Sequence, residues 1–187
     1  PRLAGASILA AVWQVGQFLP DWRPGQDYRR SYSASVAGGG GVLRDLSHEL
    51  DLLLWLFGPW QRLVATVQRS GTLAIETEDS ASLLVAAERC PQVVLHLNYL
   101  NRMPVRQFTI TTTEETWSGD LIRCTLARPA GVEQFEAPRD LTYRRQHEAV
   151  LTASHEQLCA ADAGMAVGTM IELIELSAAE NRWIHAL

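Results

Sequence analysis

Residues 38–58 read GGGGVLRDLSHELDLLLWLFG, in which four glycines precede a leucine-rich segment. From Val42 to Phe57 the apolar side chains recur at helical spacing, and Gly58 and Pro59 supply the signal for a helix end. On a helical wheel the leucines fill one arc together with Val42 and Phe57, and this arc is the predicted core face. The stretch therefore predicts one helix over 42–57, entered through a flexible glycine run.

The remaining arc of this predicted helix is polar. It carries Ser47, His48, Asp51 and Trp55, with Asp45 at its edge. We therefore expect His48 to point away from the core of the domain. An exposed indole beside a histidine and a carboxylate is typical of a surface that a substrate or another domain covers.

Asp45 precedes His48 by three residues, a spacing that places two side chains on neighbouring positions of a helix surface. A carboxylate in that position can hold the imidazole in one tautomer and favour its protonated form. Because histidine exchanges protons near neutral pH, the pair predicts a general acid/base. A solvated polar face with a chance ion pair is the alternative interpretation.

The same stretch approaches two known motifs without completing either. His48 and Glu49 begin an H-E-x-x-H zinc motif, but its second histidine would fall on Leu52. A G-x-G-x-x-G nucleotide fingerprint starting at Gly38 would need a glycine where Leu43 stands. We therefore expect neither a metal nor a nucleotide cofactor to be bound by this chain alone.

The composition of the 187 residues, 47% hydrophobic and 20% charged, is typical of one globular domain. A net charge of −5 without a basic block argues against a nucleic-acid partner. All 16 basic residues are arginine, which excludes chemistry by a lysine of this chain. No run reaches the roughly 18 uncharged apolar residues of a membrane helix. Cys90, Cys124 and Cys159 form no C-x-x-C pair, which favours a reducing, cytoplasmic setting.

The pattern along the chain groups the strands together instead of alternating them with helices. A strand is predicted over 6–18, followed by a long irregular excursion over 19–41. Further strands are predicted over 62–68, 80–87, 93–100, 105–113 and 120–127, and further helices over 141–159 and 163–179. Grouped strands indicate an α+β fold, in which helices pack on one face of an open, mainly antiparallel sheet.

Four segments together resemble one known family. The run at 38–58 is similar to the signature of the C-terminal domain of the Gfo/Idh/MocA oxidoreductases, the glucose-fructose oxidoreductase and inositol dehydrogenase superfamily. GQFLPDWRPGQDYRRSYSA at 16–34 and NYLNRMPVRQFTI at 98–110 resemble a branch that acts on surface-polysaccharide or amino-sugar substrates. AGMAVGTMIELIELSAAENRWI at 163–184 is similar to the closing helix of the family.

The resemblance implies a two-domain enzyme. In this family an N-terminal Rossmann domain binds NAD or NADP, and members transfer a hydride between the nicotinamide and a carbon of a sugar or cyclitol. The C-terminal domain resembles that of glyceraldehyde-3-phosphate dehydrogenase, and its open sheet often forms the oligomer interface. Residues 1–187 would be this single domain, an excised or naturally separate half without the Rossmann domain and its E-K-P lysine. Alone it is expected to be inactive.

The resemblance also implies roles for individual residues. His48 would transfer the proton and Asp45 would be its partner, although many members space the two as D-x-x-x-H and this sequence has D-x-x-H. Arginines of the long loop would hold an anionic group of the sugar. A surface loop anchored by its aromatic residues is the alternative interpretation of that segment. The expected substrate-binding residues are Trp22, Arg23, Tyr28, Arg29, Asp51, Trp55, Asn98 and Arg102.

The predicted function is therefore that of the substrate-binding and oligomerisation domain of an NAD(P)-dependent dehydrogenase. Its expected partners are a sugar, amino sugar or cyclitol, the Rossmann domain and further copies of the chain. The alternative is a non-catalytic module that binds a carbohydrate or holds an oligomer together.

Overall fold

The computed structural model of the protein describes residues 5–138, 140–154 and 158–186. The first elements are β1 (Ile8–Gly16), three single turns of 3-10 helix (Leu19–Asp21, Tyr28–Arg30, Tyr32–Ala34), α1 (Val42–Asp45) and α2 (Ser47–Phe57). The middle of the chain is formed by β2 (Trp60–Gln68), β3 (Ser80–Ala87), β4 (Cys90–Asn98), β5 (Val105–Thr112), β6 (Thr116–Asp120), β7 (Thr125–Arg128) and β8 (Gly131–Gln134). The last elements are α3 (Leu141–Leu151), α4 (Ala161–Glu180) and β9 (Ile184–His185).

The described strands form one nine-stranded sheet in the order β8-β7-β6-β5-β1-β4-β3-β2-β9. Strand β1 lies in the middle, parallel to β4 and antiparallel to β5. The other neighbouring pairs within the described residues are antiparallel. Strand β1 is thus inserted between β4 and β5 of a sequential meander, and β9 is added at the edge beside β2. This arrangement confirms the predicted α+β class with an open, mainly antiparallel sheet.

Helices α2 and α4 cover one face of the sheet. They contact each other, α4 contacts β2, and the buried residues of both helices join those of the strands in one core. Side chains alternate along a strand, so Trp13 of β1 is buried on the covered face while its neighbour Val12 is 52% exposed on the open one. Helix α3 buries Ala149 and otherwise lies at the surface. Within the described residues, every helix is too short or too polar to cross a bilayer.

The predicted helix over 42–57 is wrong in one respect, because it is divided into two. Leu46 has φ of −102° and ψ of 22°, values that end α1 and start α2 in a new direction. The break follows the short helix α1. In the first turn of α1, the backbone N–H of Leu43 donates a 3.1 Å hydrogen bond to the Glu78 carboxylate. The relative positions of side chains on either side of Leu46 therefore differ from those on a continuous helical wheel.

Two further predicted boundaries are wrong. The predicted strand over 120–127 is interrupted, because the Asp120 side chain accepts hydrogen bonds from the backbone N–H groups of Ile122 and Arg123 and forms the turn between β6 and β7. The helix predicted over 141–159 ends at Leu151. Part of that prediction, 155–157, lies outside the described residues.

The last two glycines of the run, Gly40 and Gly41, are closely packed, which differs from the predicted flexible approach. A Cβ atom at Gly40 would overlap the backbone carbonyls of Tyr32 and Ser33. Gly41 has φ of 118°, and a Cβ atom there would overlap the carboxylate of Glu78. Only glycine allows the backbone to pass between the loop and Glu78 at these two positions. The run thereby fixes where α1 and α2 begin.

Candidate functional site

His48 lies in the first turn of α2, on the outside of the core. Its side chain is 55% exposed, whereas the side chain of the next residue, Glu49, is completely buried. Residues adjacent in a helix normally point in different directions. Here the imidazole Nε2 of His48 nevertheless lies 3.2 Å from the Oε1 atom of Glu49. The imidazole is thus anchored on one side and open on the other.

Glu49 makes a second close contact, with the guanidinium of Arg106 on β5. The Arg106 Nε atom lies 2.7 Å from the Glu49 Oε1 atom. Within the described residues, neither carboxylate oxygen of Glu49 nor the Nε of Arg106 completes a hydrogen bond of good geometry. The contact is therefore an ion pair with misaligned donors, and it supplies the opposite charge that a buried carboxylate requires.

The predicted pairing of Asp45 with His48 is not what the structure shows. The Asp45 carboxylate accepts a 2.7 Å hydrogen bond from the hydroxyl of Tyr99, and within the described residues this is its side-chain partner. The break at Leu46 turns Asp45 away from the surface of α2 that carries His48. Burial, reinforced by the bond to Asp45, raises the pKa of the Tyr99 phenol, so Tyr99 remains a hydrogen-bond donor at neutral pH. The carboxylate beside His48 is Glu49.

Three adjoining cavities surround this cluster. The helix groove, about 1300 Å³, lies along α2 and α4. The central cavity, about 230 Å³, lies between β1, the start of α2 and the start of β5. The loop cavity, about 470 Å³, lies within the excursion after β1. His48 and Arg106 line both the helix groove and the central cavity, and Trp22 lines both the central and the loop cavity.

The helix groove brings together three of the predicted site residues, His48, Asp51 and Trp55. Trp55 is 71% exposed, although it is surrounded by apolar residues of the groove such as Leu52 and Leu173. Asp51 lies 3.6 Å from the thiol sulfur of Cys159. Burial, and after it the charge of Asp51, raises the pKa of the Cys159 thiol. Cys159 is therefore a poor candidate for a thiolate nucleophile.

The loop cavity contains three more predicted residues, Trp22, Arg23 and Tyr28. The Trp22 ring meets Tyr99 edge-on at 5.3 Å, and its indole N–H donates to the Gln17 carbonyl at 3.2 Å. The hydroxyl of Tyr28 accepts a 3.3 Å hydrogen bond from the backbone N–H of Ala74. The aromatic residues thus anchor the loop, as predicted by the alternative interpretation of this segment as a surface loop. They also form the walls of a cavity.

Three of the predicted substrate-binding residues lie outside all three cavities. Arg29 pairs with Asp27 at 2.8 Å and faces a separate surface cleft. Asn98 is buried, and its side-chain oxygen accepts hydrogen bonds from the backbone N–H groups of the two turn residues that follow Tyr99. The guanidinium of Arg102 lies 4.1 Å from the centre of the Phe18 ring. The Asn98 side chain thus closes the turn that follows β4.

The family model of the GFO/IDH/MocA C-terminal domain matches residues 7–118, which include β1, α1, α2 and the strands as far as β6. The chain belongs to this family. No curated protein sequence matches this GFO/IDH/MocA C-terminal domain.

Solved structures resemble this GFO/IDH/MocA C-terminal domain over its full length. Levoglucosan dehydrogenase in complex with NADH and levoglucosan superposes with a TM-score of 0.78 at 15% identity, covering 100% of this chain and 60% of the enzyme. The WlbA dehydrogenase from Bordetella pertussis in complex with NADH and UDP-GlcNAcA gives 0.75 at 18% identity, with 100% and 58% covered. At these identities the likeness shows the fold. The chain thus spans about three-fifths of the length of these relatives.

Two residues of this GFO/IDH/MocA domain were missed by the sequence analysis. Glu49 stands in the quoted signature next to His48, and Arg106 stands in the segment NYLNRMPVRQFTI. The candidate site residues were chosen from the exposed face of the helical wheel, so no role was predicted for a carboxylate that points inward. A glutamate in the first turn of an otherwise apolar inward face was the available signal, because a buried carboxylate requires a cationic partner.

Proposed function

We propose that this chain is the substrate-binding half of an NAD(P)-dependent oxidoreductase acting on a hydroxyl-bearing carbon of a sugar, amino sugar or cyclitol. The observation that carries the proposal is the position of His48 at the junction of the helix groove and the central cavity. A proton-transferring group must lie within hydrogen-bond reach of the substrate hydroxyl, and the hydride carrier must reach the carbon that bears this hydroxyl. Family membership supports the same assignment and does not favour a non-catalytic module.

The chemistry assigned to the chain is a proton transfer. When bound, the nicotinamide takes up or supplies the hydride. In the oxidative direction, His48 accepts the proton of the substrate hydroxyl while the C–H bond electrons leave as hydride and the C=O bond forms. In the reductive direction, His48 returns the proton to the oxygen. Glu49 lies beside the imidazole of His48, and Arg106 pairs with Glu49.

The helix groove is the proposed docking surface for a Rossmann domain that carries NAD or NADP. It combines the exposed Trp55 with apolar residues of α2 and α4, and His48 lies at its edge. An apolar surface with polar residues at its rim is typical of a domain interface. Residues 1–187 would then form one substrate-binding and oligomerisation domain. This chain alone would be inactive because the hydride carrier is bound elsewhere.

The loop cavity is the proposed site for the part of the sugar that is remote from the reacting carbon. Trp22 and Tyr28 offer aromatic faces to a sugar ring, and Arg23 and Arg30 supply positive charge at the same cavity. A carboxylate or phosphate substituent would be held by such guanidinium groups. The complex of the WlbA dehydrogenase with UDP-GlcNAcA shows that a relative of this fold accepts a sugar of this class.

The open face of the sheet is the proposed oligomer interface. Val12, Val94, Leu84 and Val64 pair across four neighbouring strands and form an apolar row on this face. Two of these side chains, Val12 and Val94, are 52% and 40% exposed. We further propose a cytoplasmic location, which the free thiols of Cys90, Cys124 and Cys159 support.

The test uses a protein that contains both halves. His48→Ala should lower turnover about 10²-fold or more while NAD(P) binding is retained, because general acid/base catalysis contributes that much. His147→Ala, at an exposed histidine of α3 that lines none of the three cavities, is the matched control and should keep wild-type turnover. Unchanged turnover of His48→Ala would refute the assignment of the proton transfer to His48.

A further inference from the structure

Glu49 is a buried carboxylate whose surroundings are unusual for a structural residue. Only 1% of its surface is exposed, and its hydrogen-bonding capacity is unfilled within the described residues. A purely structural buried carboxylate normally receives well-aligned hydrogen bonds from backbone or side chains. Glu49 instead lies between an arginine and an imidazole, both of which line the two cavities of the proposed site.

The two contacts of Glu49 have different consequences. Arg106 supplies a positive charge 2.7 Å from Oε1 and so compensates the burial of the carboxylate. The Nε2 atom of His48 lies 3.2 Å from the same oxygen. Within the described residues the other ring nitrogen, Nδ1, makes no hydrogen bond. The partner of one ring nitrogen fixes which nitrogen carries the proton in neutral histidine.

We propose that Glu49 is a positioning residue, which holds His48 through Nε2 and leaves Nδ1 as the nitrogen that exchanges a proton with the substrate. Arg106 compensates the negative charge of the buried Glu49 carboxylate, and this charge beside Nε2 favours the tautomer that carries the proton on Nε2 and a lone pair on Nδ1. The role of Nδ1 in the reaction rests on the proposed function, whereas the anchoring of Nε2 does not.

The anchoring is tested by the site of alkylation on the imidazole. Bromoacetate alkylates a deprotonated ring nitrogen, and Nε2 is the less hindered of the two because it is farther from Cβ. In the wild-type chain, with cysteines blocked, His48 should be carboxymethylated at Nδ1. In Glu49→Ala the Nδ1 product should be lost in favour of the Nε2 product. The position of the carboxymethyl group is read by NMR of the isolated peptide.

His147 is the internal control in the same samples. Its Nδ1 atom lies 2.7 Å from the Tyr143 carbonyl oxygen, so it should be alkylated at Nε2 in every variant. Because Glu49→Ala leaves the Arg106 charge without its partner, Glu49→Ala/Arg106→Leu is the second variant, which removes both charges together. If the single variant does not fold, the double variant decides. Alkylation of wild-type His48 at Nε2, or a product distribution unchanged in the folded variant, overturns the proposal.

A second measurement separates this inference from the proposed function. In a protein that contains both halves, Glu49→Ala should lower kcat roughly tenfold or more with little change in KM, because the substrate contacts remain. Glu49→Asp, which keeps the charge, should restore part of kcat. A change in the alkylation site without any change in kcat upholds the positioning by Glu49 and counts against His48 as the proton-transferring residue.

Discussion

The Tyr99 hydroxyl donates a 2.7 Å hydrogen bond to the Asp45 carboxylate and so ties the end of α1 to the segment that follows β4. The Tyr99 ring is completely buried, and the Trp22 ring packs against it edge-on. One contact thus connects the glycine-led helix, the sheet and the long loop. Asp45 therefore links the elements that form the walls of the proposed site.

Removal of this hydrogen bond should destabilise the fold. Tyr99→Phe keeps the ring but removes the donor, and a hydrogen bond to a charged acceptor contributes about 1.5–3 kcal/mol. We expect the free energy of unfolding, measured by urea denaturation, to fall by that amount. Tyr143→Phe is the matched control, because Tyr143 is 62% exposed on α3 and should change the free energy little. Equal losses in both variants would contradict the proposed support.

The glycine run offers a graded series of substitutions. Gly39 has φ of 72° but open space around it, so Gly39→Ala should cost about 1 kcal/mol for the backbone alone. Gly40→Ala should cost about 1–3 kcal/mol, because the new methyl group overlaps the carbonyls of Tyr32 and Ser33. Gly41→Ala combines a φ of 118° with overlap of Glu78 and should be the most damaging. Unfolding curves in which Gly39→Ala is the least stable of the three variants would contradict this order.

The Glu78 carboxyl should make the stability depend on pH. Burial raises its pKa above the ordinary value of 4.5, against the opposing effect of the hydrogen bond from Leu43. The folded state then binds the proton more tightly than the unfolded state. The contribution of Glu78 to stability is therefore fully present below about pH 4.5 and is lost as pH rises through the raised folded value.

Glu78→Gln should remove this dependence. The free energy of unfolding of the wild type minus that of Glu78→Gln should fall as pH rises above about 4.5, as the carboxylate becomes charged in its buried position. Urea unfolding at several pH values measures the difference. Glu114→Gln, at an exposed position of the β5–β6 turn, is the control with which the pH dependence of Glu78→Gln is compared. A difference that rises with pH would show that the burial of Glu78 is outweighed by its hydrogen bonds.

The fold could be predicted to a large extent because its signals are local. The alternation of β3 and β4, the stop at Gly58 and the stripe of Val167, Met170 and Ile174 on α4 depend on neighbouring residues alone. The insertion of β1 beside β4 is a pairing between distant segments, and no local pattern encodes it. The turn at Asp120 was missed because its capping side chain lies inside a run that otherwise has strand character.

The exposed residues of the candidate site could be predicted from the sequence, and its buried residues could not. His48, Asp51 and Trp55 follow from the polar arc of α2, which the break at Leu46 leaves intact. The pairing of Asp45 failed because that break lies between Asp45 and His48. Arg106 lies on β5, and its contact with Glu49 depends on how the sheet and helix pack. Such a contact between distant segments leaves no spacing signal in a single sequence.

Substitutions of Trp55 and Trp13 should distinguish a residue of the docking surface from a residue of the core. Trp13 is 2% exposed and its ring lies 5.1 Å from that of Phe108, so Trp13→Ala should cost about 3–5 kcal/mol of unfolding free energy in this chain. Trp55 is 71% exposed, and Trp55→Ala should change the same quantity by less than about 0.5 kcal/mol. In a protein with both halves, the exposed indole of the helix groove is covered by the proposed Rossmann domain, so Trp55→Ala should there lower turnover and the midpoint of thermal unfolding together. If Trp55→Ala is silent in both proteins, the helix groove is not the surface on which the nucleotide-binding domain docks.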